Sequence, residues 1–155
     1  MTDSSRQQWF GLLLLGAALA LGLVISAAVG ADGADGSKGS LLVSGEIVEG
    51  APYPWAGAMF SPGTSFMAPT DLSSKKAISF SAKGDGKTYS LMLYTESRGY
   101  MPAIRKFVAG PEWKRYTFKL SQFDGTDGSD VTALLFSAGT TPGKFEFQID
   151  DVQLE

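Results

Sequence analysis

A chain of 155 residues with 13 Lys and Arg against 16 Asp and Glu has a net charge of −3 and no basic stripe, which argues against nucleic acid as a partner. It contains neither Cys nor His. That removes disulfides, a cysteine-linked lipid, ordinary zinc sites and every Ser-His-Asp or Cys-His nucleophile, and leaves carboxylate pairs, Lys or Tyr chemistry and hard-metal sites.

Residues 10–30 (FGLLLLGAALALGLVISAAVG) carry no charge, and a short polar stretch holding Arg6 precedes them. The run exceeds the roughly 7–15 residues of a signal-peptide core and reaches the about 20 that a spanning helix needs, while the small residues near its end suit a signal peptidase. Residues 1–31 therefore read as an N-terminal apolar helix, either a signal peptide or a membrane anchor. In both cases Arg6 stays inside and the body is exported, to the periplasm, the cell surface or the medium. Membrane contact is then expected only through this segment, if it is uncleaved. Residues 32–39 (DGADGSKG) read as a flexible linker. Residues 40–155 remain as one domain, large enough to bury a core.

Within that domain short apolar segments alternate with Gly, Pro and Asp turns. Residues 40–48 (SLLVSGEIV), 53–61 (YPWAGAMFS), 77–82 (AISFSA) and 88–95 (TYSLMLYT) are predicted strands, the last apolar on both faces and so central. Residues 103–109, 113–120 (WKRYTFKL) and 131–137 (VTALLFS) follow as three more. The Gly84-Asp85-Gly86 turn lacks a Gly-Lys-Ser/Thr ending and a following helix, so it reads as a hairpin turn with Asp85 and Gly86 at positive φ rather than a phosphate loop. No segment of the domain shows a 3.6-residue period. Spacing of this kind predicts an all-β antiparallel sandwich or jelly roll.

The eighth strand, residues 144–155 (KFEFQIDDVQLE), organises the others. Phe145, Phe147 and Ile149 alternate with Glu146 and Gln148, but the later apolar residues are Val152 and Leu154, so the inward phase slips by one. A β-bulge at Asp150-Asp151 repairs such a slip.

Residues 41–154 resemble the complex I intermediate-associated protein 30 family, a branch of the galactose-binding-like β-sandwiches. The resemblance is carried by PWAGAMF (54–60), DLSSKKAISFSAKGDGKTY (71–89), EWKRYTFKLSQFDG (112–125) and FSAGTTPGKFEFQIDDVQLE (136–155), in that order and spacing. It implies a jelly roll, a non-catalytic binding role, kinship with carbohydrate-binding modules and, for mitochondrial members, an association with assembly of the respiratory NADH:ubiquinone oxidoreductase. Members usually open with an extra strand, which here would fall where the leader and linker lie. Carbohydrate-binding relatives ending in a similar Ile-Asp-Asp-Val place an Asp on a structural calcium, so the resemblance puts Asp150 and Asp151 forward as ligands of a possible structural Ca²⁺; the alternative is a solvated or salt-bridged pair.

Asp124, Asp127 and Asp130 do not follow the ligand spacing of a calcium loop, and suit turns and caps. For a ligand, Trp55, Tyr94, Arg98 and Tyr100 are the candidate residues: flat rings that can stack on a sugar, with a polar group beside them. Trp113, opening an alternating strand, is expected in the core. The function expected is a non-enzymatic binding module for a protein partner, in the manner of an assembly factor, or for a glycan. One alternative is the carbohydrate-binding module of a cell-surface or secreted polysaccharide system. A carboxylate-pair glycoside hydrolase is the enzyme alternative, and it needs two facing carboxylates about 5–10 Å apart.

Overall fold

The computed structural model describes residues 24–50 and 56–155, with the side chains of 24–27 excepted. Among these residues nine strands form two antiparallel sheets. They are β1 (Val24–Gly30), β2 (Ser40–Ile47), β3 (Ala56–Phe60), β4 (Ala77–Gly84), β5 (Thr88–Thr95), β6 (Ala103–Val108), β7 (Lys114–Lys119), β8 (Val131–Ala138) and β9 (Gly143–Leu154). One sheet has the order β1-β2-β9-β4-β7 and the other β3-β8-β5-β6. All eight predicted strands are present, and β5 and β8 each have a neighbour on both sides, as their apolar sequences require.

The first strand corrects the reading of residues 24–30 as helix. A continuous apolar run fits a buried helix and a strand equally well by periodicity. Here the run pairs antiparallel with β2, from Val24 opposite Glu46 to Gly30 opposite Ser40. The sheet thus begins well before residue 40, and the 3-10 turn Ala34–Gly36 lies within the stretch expected to be linker. The leader or anchor expected over residues 1–23 lies outside the described residues. No helix among the described residues is long and apolar enough to cross a membrane.

β9 is the spine of the five-stranded sheet, held between β2 and β4. Phe145, Phe147 and Ile149 are buried, and Val152 and Leu154 pack against the core from the other side of the phase slip. The bulge lies where the slip demands one. Ser81 faces Asp150 and Ser79 faces Gln153, so Asp151 and Val152 together oppose Phe80. Asp151 takes the left-handed conformation, with φ +48, a strained position for a residue with a side chain that Asp tolerates better than most.

Aromatic side chains join the sheets. Phe80 of β4 meets Phe107 of β6 and Phe136 of β8 edge to face, each at 5.0 Å between centroids, and Tyr89 of β5 lies 4.4 Å from Phe147. The Gly84-Asp85-Gly86 turn is not a hairpin. β4 pairs with β7 and β9, whereas β5 pairs with β6 and β8, so the turn carries the chain from one sheet to the other. Gly86 alone of the Asp85-Gly86 pair has positive φ (84). Asp85 instead uses its carboxylate. It accepts hydrogen bonds from the Tyr89 hydroxyl (2.8 Å), the Lys87 amide (3.1 Å), the Lys87 ammonium (2.7 Å) and the Glu146 amide (3.3 Å), tying the corner to β9.

Candidate functional site

The face of the β3-β8-β5-β6 sheet that points away from the core is the best-formed candidate. Leu134, Phe136, Leu91, Leu93, Ala103 and Phe107 point inward, so their neighbours along each strand point out. Pairing then sets Met59, Leu135, Met92 and Ile104 in one row across all four strands, since Met59 and Met92 both face Leu135 and Met92 also faces Ile104; Leu135 is buried, Met59 and Met92 are half-buried and Ile104 is exposed. Beside it runs a small and polar row of Gly57, Ser137, Ser90 and Lys106. The Gly is required by close approach: a Cβ there would lie 2.1 Å from the Phe136 carbonyl oxygen. On the other side of the apolar row Tyr94 faces Ala133.

Three of the four predicted ligand residues can be placed. Tyr94 stands on this face, half-buried, its hydroxyl 3.9 Å from Met92 Sδ; burial raises its pKa. Arg98 and Tyr100 follow β5 in the turn beyond it. Tyr100 is exposed at 98 %. Arg98 folds back, donating from Nε to the Met101 carbonyl (3.0 Å) and from Nη1 to the Gly125 carbonyl (3.4 Å), so its guanidinium braces the loop. Trp55 lies outside the described residues, one position before β3.

Trp113 was expected in the core and is not in it. It precedes β7 in the turn that joins the edges of the two sheets, half-buried, with the Lys83 ammonium 5.0 Å from its ring centre. Sequence reasoning also missed the Met59–Ile104 row. Each of its residues looks like ordinary strand hydrophobe, and only the pairing register shows that they meet on an outer face.

Asp150 and Asp151 diverge at the bulge. Asp150 Oδ2 accepts from the Ala34 amide (2.7 Å) and the Ser37 hydroxyl (2.6 Å), and Oδ1 from the Asp151 amide (2.7 Å), so this carboxylate ties the 3-10 turn to β9. Asp151 accepts from Arg115 Nη1 (2.6 Å) and Gln153 Nε2 (2.7 Å). Among the described residues no three Asp or Glu side chains converge as a metal site would need. Both carboxylates are engaged by protein donors, a backbone amide and a guanidinium among them, which a divalent cation would have to displace. Millimolar Ca²⁺ is therefore expected to leave the melting temperature within about 1 °C of its value without the ion. A rise of several degrees, abolished by Asp151→Ala, would show that the ion displaces Arg115.

The loop carboxylates divide as turns and caps should. Asp127 Oδ1 accepts from the amide and hydroxyl of Ser129 (2.9 and 2.7 Å). Asp130 Oδ2 accepts from the Ser97 amide (2.7 Å). Asp124 is exposed, 3.8 Å from Arg105.

Two antiparallel sheets, of five and four strands, packed face to face through an aromatic core make the protein an all-β sandwich. The chain belongs to the Complex I intermediate-associated protein 30 (CIA30) family, whose model matches residues 34–149. Among solved structures it is similar to the family 11 carbohydrate-binding module of the cellulosomal cellulase Lic26A-Cel5E of Clostridium thermocellum. The TM-score is 0.64 at 16% identity, over 87% of this chain and 83% of that one. The family 11 module from Clostridium thermocellum in complex with a β-1,3-1,4-mixed-linked tetrasaccharide gives 0.61 at 16% identity, over 92% and 93%. The family 30 module of the cellulase Cel9D-Cel44B of the same organism gives 0.62 at 16% identity, over 84% and 82%. At such identity these likenesses concern the fold. No curated protein was found to match the chain.

Proposed function

We propose that this protein is an exported, non-catalytic binding module whose ligand is a protein surface, gripped by the outer face of the four-stranded sheet. The observation that supports it is the composition of that face. Half-buried Met59 and Met92 and exposed Ile104 flank a buried Leu135, an apolar and deformable surface of the kind adaptable protein contacts use, while among the described residues Tyr94 is the face's one aromatic side chain. A sugar site presents several open ring faces with polar groups to fix hydroxyls. The family is named for an association with a respiratory-complex intermediate, and an assembly-factor-like role accords with a protein ligand. Catalysis finds little footing, since the chain lacks His and Cys and its best-placed carboxylates are engaged in structural hydrogen bonds.

The second reading is a glycan. It is favoured by Tyr94 on the face, by the exposed Tyr100 and by the solved structures that share the fold. Calorimetric titration with a β-1,3-1,4-linked tetrasaccharide and a panel of soluble polysaccharides separates the two. No binding is expected at millimolar saccharide. Saturable heat that disappears in Tyr94→Ala would move the function to the glycan.

A further inference from the structure

Four of the seven large hydrophobic side chains exposed among the described residues lie in one stretch of nine positions: Tyr100 (98 %), Met101 (70 %), Ile104 (45 %) and Val108 (50 %). The stretch contains β6, an edge strand, whose ladder runs to β5 and nowhere else. The Ala109 amide donates to the Lys87 carbonyl (3.1 Å), which continues the β5–β6 register. Backbone groups alternate in direction along an antiparallel strand. Those of Phe107, Arg105 and Ala103 therefore point to β5, and those of Ile104, Lys106 and Val108 point outward. The hydrogen bond from the Tyr116 hydroxyl to the Val108 carbonyl agrees with that phase. The outward groups of Ile104 and Lys106 form the open ladder that natural edges usually blunt.

The apolar track does not stop at Val108. It runs into a groove of about 420 Å³ lined by Val108, Pro111, Glu112, Trp113, Lys114 and Tyr116. Charge further restricts the occupant. Lys106 stands between Ile104 and Val108 on the exposed side and has no ion-pair partner among the described residues. Residues 98–119 hold six cations (Arg98, Arg105, Lys106, Lys114, Arg115, Lys119) against Glu112 alone, in a chain of net −3. A second copy pairing through the middle of β6 would set Arg105 and Lys106 against one another's cations, which is unfavourable.

We propose that β6 is a strand-addition site for an extended segment of a partner protein. Along the exposed face, at every second position, the segment sets an apolar residue opposite Ile104, an acidic one opposite Lys106 and a bulky apolar one beside Val108 that enters the Trp113–Tyr116 groove. Main-chain hydrogen bonds supply the grip, and the alternate side chains supply selectivity. This rests on the protein-binding reading and gives it a mode of recognition.

The test uses a capped peptide, Thr-Val-Thr-Glu-Thr-Trp, whose Val, Glu and Trp share one face, and its relatives with Lys for Glu or Ala for Trp, titrated into the protein. The acidic peptide is expected to bind about tenfold more tightly than the basic one, and the loss of its Trp to weaken it about tenfold. Lys106→Glu should reverse the charge preference. Lys106→Pro removes an outward N–H and no rung of the β5 ladder, so it should keep the melting temperature and lose all peptide binding. Should Lys106→Pro fail to fold, the charge preference and its reversal in Lys106→Glu decide the matter by themselves. Equal binding of acidic and basic peptides, binding that survives in folded Lys106→Pro, or no binding at millimolar peptide would overturn strand addition at β6. A saccharide bound at Tyr94 and unaffected by Lys106→Glu would instead sink the protein-binding reading, so the two failures are distinguishable.

Discussion

Phe147→Ala is expected to lower the free energy of unfolding by about 3–5 kcal/mol, as truncation of a fully buried Phe does. Phe147 has no exposed surface and stands in the middle of β9, opposite Val43 on one side and Gly84 on the other. Its ring is 4.4 Å from Tyr89 of the opposite sheet, so the hole would open between the two layers and not at a margin. Set against the roughly 5–15 kcal/mol that holds a domain together, the loss brings the variant close to unfolding at ambient temperature. Urea unfolding followed by tryptophan fluorescence measures it. A variant with a near-normal transition midpoint would mean that β9 is not the spine of its sheet.

Asp85→Ala comes second, at about 2–4 kcal/mol, since it removes one carboxylate from four donors and leaves the Tyr89 hydroxyl with the Glu146 carbonyl alone. The effect depends on pH, and its sign follows from the carboxyl. Burial pushes the Asp85 pKa up, but the hydrogen bonds from Lys87, Tyr89 and Glu146 outweigh it, and the net position lies below the ordinary 3.8. A carboxyl held low in the folded state stabilises it above the unfolded pKa, and that stabilisation is lost as pH falls through the folded value. The gap between wild type and Asp85→Ala should thus be full at pH 7 and shrink below about pH 4. On the other side of the same contact, burial first and Asp85 second raise the Tyr89 hydroxyl well above its usual pKa, so it remains a donor throughout. A gap that stayed constant from pH 7 to pH 2.5 would show that Asp85 acts by packing alone.

The architecture was written in patterns that depend on near neighbours. Alternation marked β9, and the shift of its inward phase from Ile149 to Val152 placed the bulge within one residue of Asp151 and Val152. Apolarity on both faces marked β5 as internal. What could not be read was whatever depends on partners distant in the chain. Residues 24–30 have a composition that suits helix and strand alike, and only Ser40–Ile47 lying beside them decides for the strand. Nothing in the window around Arg98 announces that its Nη1 donates to the Gly125 carbonyl, 27 positions on. The Met59–Leu135–Met92–Ile104 row draws on four strands, from residue 59 to residue 135, and no local window contains it. Asp85 passed for a turn residue because its hydrogen bond to Glu146 crosses 61 positions.

The proposed role of the β3-β8-β5-β6 sheet is to hold a protein by its outer face and transform nothing. It is tested most directly by a photo-crosslinking side chain placed at Met92 in the full-length protein and activated in cells that make it. A discrete protein adduct is expected, and it should vanish when Ile104→Lys charges the exposed end of the row (Ile104 is 45 % exposed) in a folded variant. An adduct to polysaccharide, or turnover of any substrate by the purified protein, would contradict it.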